Sequence, residues 1–521
     1  MVSTAIEAAG LAIPLVFRRV FNVIAASPSN LPLSGKAACS CHVCIWGLAC
    51  RECEPVRWPI VQLAGWISAG GADRAGHGLP PHHQGKLAEA NPAPRFEPEL
   101  WQRRLATLAG GVLVGLVALG FAHFGDLAQR IFSQMQARVW WFPLIWTPAL
   151  FMLFAAVTIR MVPEARGSGI PQVIAATHAP DSAYARRLLS LRVAFSKLFL
   201  TVGALFAGGS VGREGPTVQV AAAIMARVHK WLRVPLGPGV MIAGGAAGVA
   251  AAFNTPVAGI AFAIEELAVA YEQRVALLVM AAVMISGLTA QGLAGDYVYF
   301  GTMASSLPVT TVIVAAPLCG IVGGIAGGLF SRSLLALRGP GSRFAAKLGR
   351  RPLLTALACG LVVAGLGIVT GGLTWGTGYE PTRHLLEGGD GPLWFGPAKL
   401  AATLATAASG IPGGIFAPSL AVGAGFGEML APFFKPEEAG AIVLLGMVGY
   451  FVGVVRAPLT AVIILVETTG SASAILPLFA TALIGDWAGS LVCKQRLYHA
   501  LARTFKAPVK DADEAKVNPP A

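Results

Sequence analysis

Charge is what this sequence has least of. Only 12% of its 521 residues are Asp, Glu, Lys or Arg, against roughly 25% in soluble domains. So few charges cannot clothe a water-facing surface, which excludes an ordinary soluble enzyme or binding module. Two enzyme signatures are missing as well: the zinc-protease His-Glu-x-x-His and the nucleotide-binding Gly-Lys-Ser/Thr loop. Acids are scarcer than bases, 26 against 39, which leaves a net charge of +13. That excess does not indicate a nucleic-acid partner, because the basic residues lie mainly in loops and tails. Arg338, Arg343, Lys347, Arg350 and Arg351 occur with no acid among them, and Lys494, Arg496, Arg503 and Lys506 lie near the C-terminus. The positive-inside rule puts both regions on the cytoplasmic side.

Apolar chain is what the sequence has in abundance. Hydrophobic residues make up 55%, and the mean hydropathy is +0.66. Uncharged runs long enough to cross hydrocarbon, about 20 residues, recur at Leu105–Phe124, Val139–Ile159, Val234–Ile264, Leu277–Gly295, Thr302–Ser331, Pro352–Tyr379 and Leu400–Gly427. The pattern is that of an all-α polytopic membrane protein; a β-barrel would alternate in short segments. The 63 glycines are well above the usual share of about 7%. Small residues let membrane helices pack closely. Where they cluster with prolines such as Pro171, Pro216, Pro256, Pro412, Pro418 and Pro458, they mark broken helices. Irregular backbone at that depth survives only when buried in protein or lining a polar cavity. Broken helices in both halves of a chain point to a transporter with a midplane site.

Residues 1–98 form an extension unlike the rest. It holds five of the eight cysteines (Cys39, Cys41, Cys44, Cys50 and Cys53), with His42 among them. Two Cys-x-x-Cys pairs resemble a zinc site, but the pairs lie close together and one cysteine is left over. The stretch reads as a disordered tail or as a start codon placed too far upstream, outside the fold and holding no metal. Residues 99–505 read as one membrane domain. The basic segment 338–351 divides it into halves of about 99–337 and 352–505, and a short polar tail, 506–521, follows. Each half opens with long apolar helices and then carries a Gly/Pro-broken cluster. This suggests an internal repeat, although identity between the halves is too weak to prove one.

Three motifs carry the chemistry. The first is Gly167-Ser168-Gly169-Ile170-Pro171, where Ser168 is expected near a helix N-cap with a hydroxyl free to donate. The second is Gly212-Arg213-Glu214-Gly215-Pro216, a carboxylate at membrane depth where a helix begins. The third is Gly414-Ile415-Phe416-Ala417-Pro418, whose backbone N–H groups precede another helix. Helix N-termini attract anions. If the three converge, they form a dehydrated anion site without a full positive charge, which suits an ion that must enter and leave. Arg213 is read as structural, Glu265 as a solvated helix end, and Glu467 and Asp486 as marks of an interface.

These motifs resemble those of the CLC chloride channels and transporters, and the likeness covers about residues 101–505. It implies an inverted repeat of about 18 tilted, often broken helices, and a homodimer with one pore per subunit in a bilayer. It implies a central chloride held by Ser168, the backbone at Ile415 and Phe416, and the phenol of Tyr498. Glu214 becomes the gate and outer proton site, and Glu266 the inner proton site that exchangers have and typical channels replace. The function implied is chloride/proton antiport, with no catalysis and no cofactor, in a bacterial inner membrane with both termini cytoplasmic. The alternative is a passive voltage- or pH-gated chloride channel of the same fold. A membrane-embedded hydrolase using paired acids fits poorly, because adjacent Glu265 and Glu266 point to different sides of a helix.

Overall fold

The computed structural model describes residues 98–267, 273–295, 300–301 and 308–505. The cysteine-rich stretch and its metal reading, like the 506–521 tail, lie outside the described residues. The first half runs α1 (Pro98–Arg138), α2 (Phe142–Met161), α3 (Ile170–His178), α4 (Ala183–Leu188), α5 (Leu191–Phe206), α6 (Glu214–Trp231), α7 (Pro238–Phe253), α8 (Pro256–Phe262) and α9 (Gln273–Ala294). The second runs α10 (Val309–Arg338), α11 (Arg343–Arg350), α12 (Pro352–Val369), α13 (Tyr379–Leu386), α14 (Phe395–Ser409), α15 (Phe416–Leu430), α16 (Ala439–Val455), α17 (Pro458–Thr469), α18 (Ile475–Val492) and α19 (Leu497–Ala502). Seven of these helices are long and apolar enough to cross a membrane. Large apolar side chains such as Val369, 83% exposed, and Leu476, 80% exposed, face outward, as hydrocarbon solvent allows. This is an all-α integral membrane protein.

Two apolar runs that look like single spans are broken. Val234–Ile264 divides where Asn254 takes a left-handed conformation, φ 59°, and Pro256 opens α8. Leu400–Gly427 divides between α14 and α15 at the third glycine motif. The basic segment 338–351 is also more ordered than a loop. Arg338 closes α10, and α11 starts where Ser342 Oγ accepts from the Ala345 N–H at 3.3 Å.

The repeat that sequence identity leaves unproven is visible as a constant register. An offset of 202 residues relates Lys197 to Lys399, Gly212 to Gly414, Pro256 to Pro458 and Glu265 to Glu467. Each member of these pairs does the same job. Lys197 and Lys399 are both fully buried. Lys197 Nζ donates to Gly167 O at 2.7 Å, and Lys399 Nζ donates to Gly376 O at 2.8 Å and Thr374 O at 3.0 Å. Asn254 and Arg456 both end their helices in the left-handed region. Gly212 and Gly414 exchange two backbone hydrogen bonds of 2.8 Å as an antiparallel bridge, so equivalent segments meet with opposed chain directions. The architecture is an inverted repeat.

Short helices α8 and α17 lock the halves together by reciprocal capping. Glu265, after α8, accepts from Leu459 N at 3.2 Å, Thr460 N at 2.8 Å and Thr460 Oγ1 at 2.8 Å at the start of α17. Glu467, in α17, accepts from Val257 N at 3.1 Å and Ala258 N at 2.7 Å at the start of α8. Each carboxylate satisfies helix N–H groups that have no intrahelical partner and meets the positive end of a dipole. Glu265 is therefore a cap and not a solvated helix end, and Glu467 has the same role within the chain. Asp486 pairs with Arg456, 2.6 Å from its Nε, and so stabilises the residue that ends α16.

Glycine sets the helix spacing around α10. A Cβ on Gly323 or Gly327 would stand 2.5 Å from the backbone of Tyr450, and one on Gly324 would stand 2.5 Å from Gly485 O. Small residues at such crossings let backbones approach. Two outcomes are expected in detergent-solubilised protein. Gly414→Ala puts a methyl group 3.0 Å from Gly212 O and Pro216 Cδ, and lowers the apparent melting temperature; Gly365→Ala, where nothing lies within 4 Å, does not. Glu467→Ala strands two helix N–H groups at a cost of about 1–3 kcal/mol, whereas the exposed Glu380→Ala leaves the denaturation midpoint unchanged.

Candidate functional site

The site lies where three interrupted segments meet. Besides the Gly212–Gly414 bridge, Gly413 N donates to Gly167 O at 3.2 Å, the carbonyl that also receives Lys197. The loop before α3, the loop before α6 and the loop before α15 are thereby tied backbone to backbone. The fit needs glycine. A Cβ on Gly215 would overlap Ser168 Oγ, and one on Gly169, whose φ is +114°, would lie 2.6 Å from Gly215 O. Gly169 is the N-cap of α3, so Ser168 stands one residue ahead of the expected cap position.

Glu214 is the first residue of α6 and is fully buried. Its Oε2 takes the Ala417 N–H at 3.4 Å, and Oε1 has no protein partner. The carboxylate therefore folds back over Gly212 onto the start of α15. Ile415 is the N-cap of α15 and Phe416 its first residue, so their N–H groups belong to the set that a helix leaves unpaired. The ring of Phe416 packs against Phe451, with centroids 5.0 Å apart, and against Tyr498 at 5.8 Å. This brings Tyr498, from α19, to the third motif. Its buried hydroxyl and that of Ser168 lie near each other without forming a hydrogen bond of ordinary geometry, and both residues line one cavity. A buried hydroxyl without a partner costs about 1–3 kcal/mol, and each of these can donate to an anion.

The cavity has a basic lining. Arg166 and Arg338 line it together with Ser168 and Tyr498, and no acid lines it. Arg338 Nε donates to Ala408 O at 2.7 Å, and the Arg166 guanidinium lies over the Phe505 ring at 5.8 Å. Arg213 points elsewhere. Its Nη1 pairs with Asp126 at 2.7 Å and donates to Ala122 O at 2.8 Å, anchoring the second motif to α1.

Glu266 belongs to a π-turn that continues α8, and its side chain is fully buried. Neither oxygen makes a hydrogen bond, and His499 Nδ1 lies 3.4 Å from Oε1. Tyr498 lies within electrostatic reach of both Glu214 and Glu266. The six residues singled out in the sequence thus gather around α3, α6, α15 and α19. Sequence reasoning missed Lys197, Lys399, Arg166, Arg338 and His499. A lone lysine inside an apolar helical run was the available signal for the first two.

One segment fits a hydrolase pattern. Gly208-Gly209-Ser210-Val211-Gly212 has the Gly-x-Ser-x-Gly spacing, but Ser210 is held by Thr403 Oγ1 at 2.9 Å and by Thr406 Oγ1 at 3.2 Å. Its role is to fasten the second motif to α14. Among the described residues, no three His, Cys, Asp or Glu side chains are grouped to hold a metal ion.

Known proteins share this arrangement of elements. The family model described as "Voltage gated chloride channel" matches residues 150–490. The chain is 32% identical over 428 residues to the H(+)/Cl(-) exchange transporter ClcA of Vibrio cholerae serotype O1 (strain M66-2), across 77% of this chain and 89% of that one. It is 33% identical over 426 residues to the ClcA protein of Yersinia pestis bv. Antiqua (strain Angola), across 76% and 86% of the two chains. The structure of a slow cyanobacterial Cl-/H+ antiporter superposes with a TM-score of 0.66 at 23% identity, covering 78% of this chain and 98% of the other. A CLC-type fluoride/proton antiporter superposes with a TM-score of 0.63 at 22% identity. The family match and the two exchangers agree with the three motifs, and the chain belongs to the voltage-gated chloride channel family, the CLC channels and transporters.

Proposed function

We propose that this protein exchanges chloride for protons across a membrane. The observation that carries the reading is the position of Glu214, a buried carboxylate drawn to the Ala417 N–H at the start of α15. An anion attracted by the same helix N-terminus competes with that carboxylate. Protonation neutralises Glu214, weakens its hold on the dipole and yields the place to chloride. Chloride would be held by the Ser168 and Tyr498 hydroxyls and by the backbone N–H groups at Ile415 and Phe416. The absence of an acid along the cavity favours anion entry, and the guanidinium groups of Arg166 and Arg338 that line it attract anions.

Glu266 supplies the second half of the cycle. A buried carboxyl without a hydrogen-bond partner is costly and takes up and releases protons more readily than it serves structure. With Glu214 as outer and Glu266 as inner proton site, chloride and proton reach the centre from opposite directions. The exchange activity named for the two curated relatives supports this reading.

The same reading covers the organisation of the molecule. Residues 99–505 act as the transport domain, flanked by an extension and a tail outside the fold. The basic residues of α11, with Arg496 and Arg503, face the cytoplasm by the positive-inside rule, in a bacterial inner membrane with both termini inside. The protein pairs as a homodimer in the bilayer, with one pore in each subunit.

Purified protein in liposomes under crossed chloride and proton gradients tests the exchange. The reversal potential is expected to shift with both gradients; a potential following chloride alone would make the protein a channel. Glu214→Gln is expected to keep chloride flux and to abolish proton movement. Glu266→Gln is expected to slow proton movement at least tenfold, and proton transport at the wild-type rate would remove Glu266 from the pathway.

A further inference from the structure

We propose that His499 is the residue that passes protons between cytoplasmic water and Glu266, an inference that rests on Glu266 being the inner proton site. The Glu266 side chain is 0% exposed, so no proton reaches it directly from water. The His499 side chain is 38% exposed and sets its Nδ1 3.4 Å from Glu266 Oε1. One edge of the ring thus meets water while the other meets the buried acid. Neither Nδ1 nor the Glu266 oxygens have another hydrogen-bond partner, so the imidazole is held in no competing contact at that edge. A shift of a few tenths of an ångström closes the gap to ordinary hydrogen-bond length.

The neighbouring charged groups are unsuited to the task. Glu265 is adjacent in sequence, but its two oxygens serve three donors at the start of α17, and protonating it would undo that cap. Arg496 lies near Glu266 and reaches the Glu265 carbonyl at 3.5 Å, but a guanidinium does not release its proton in the working pH range. Tyr498 faces the cavity and Phe416, and phenols ordinarily hold their proton to about pH 10. The groups within electrostatic reach of Glu266 include His499, Arg496, Glu265 and Tyr498. Imidazole is the side chain that ordinarily changes charge between about pH 5 and 8.

The transfer balances simply. The N–H bond at Nδ1 of the imidazolium breaks as an O–H bond forms on Glu266 Oε1. The imidazole is left neutral with its Nε2–H in place, and it regains a proton at the vacated Nδ1 by rotating that nitrogen out to water and back. Position also matters: α19 carries both His499 and Tyr498, so the proton entry and the inner wall of the anion site move as one element.

The test uses the full chain in liposomes and follows proton uptake driven by a chloride gradient over internal pH 5 to 8. His499→Gln is expected to slow uptake about tenfold and to flatten its pH dependence, and added imidazole is expected to restore uptake in His499→Ala. Wild-type rate and pH profile in His499→Gln would overturn this inference and leave exchange standing. A loss that imidazole does not restore, with chloride flux falling equally in the Glu214→Gln background, would also overturn it, since His499 would then only support α19. Wild-type vesicles that move chloride without protons would overturn the exchange reading itself.

Discussion

Everything at the centre of this molecule depends on the pair of 2.8 Å hydrogen bonds between Gly212 and Gly414. These residues are equivalent in the two halves, and their bridge sets the starts of α6 and α15 side by side with opposed chain directions. A larger residue at either position would crowd the joint, because a Cβ on Gly212 would meet the Glu214 carboxylate and Pro418, and one on Gly414 would meet Gly212 O and Pro216. Once the bridge is fixed, the carboxylate of Glu214 can reach across from one half to a helix N–H of the other. The proposed anion site is therefore made by the joint between two repeats, and neither half contains it alone.

The way buried charge is handled separates frame from site. Lys197 and Lys399 spend their charge on carbonyls of the glycine loops, and Glu265 and Glu467 spend theirs on each other's helix starts. Arg213 and Asp126 pair across α6 and α1. These groups are satisfied in place, and they stiffen the backbone around the cavity. Glu214 Oε1, both Glu266 oxygens, and the hydroxyls of Ser168 and Tyr498 make no hydrogen bond of ordinary geometry to the protein. Buried groups in low dielectric without partners are strained by desolvation, and they are the ones that an ion or a proton can change.

Much of this was legible in the sequence. Scarce charge and long apolar runs gave the membrane class. The three glycine motifs located Ser168, Glu214, Ile415 and Phe416, because helix starts at membrane depth need glycine, proline and a polar residue in that order. Run length misled at Val234–Ile264 and Leu400–Gly427, since hydropathy averages over a break that Asn254-Thr255-Pro256 or Gly410 through Gly414 makes locally. The repeat was suggested but not proved, because many matched positions keep their function and not their residue type, as with Asn254 and Arg456. Its 202-residue register was nevertheless present in the spacing of lysine, glycine, proline and glutamate. Glu265 and Glu467 were misread because the cap contacts join residues 194 to 210 positions apart. His499 was hidden for the same reason, since its closeness to Glu266 exists only once α19 has folded against the end of α8.

The central claim is that the Glu214 carboxylate and chloride contend for one place. By linkage, if protonating Glu214 frees the site for chloride, then binding chloride must draw a proton onto the protein by the same factor. The most direct measurement is calorimetric titration of the purified protein with chloride across pH, with proton uptake read in buffers of different ionisation enthalpy. The account predicts tighter chloride binding as pH falls, with proton uptake on binding, and the loss of both effects in Glu214→Gln. Chloride affinity independent of pH, with no proton taken up, would contradict it.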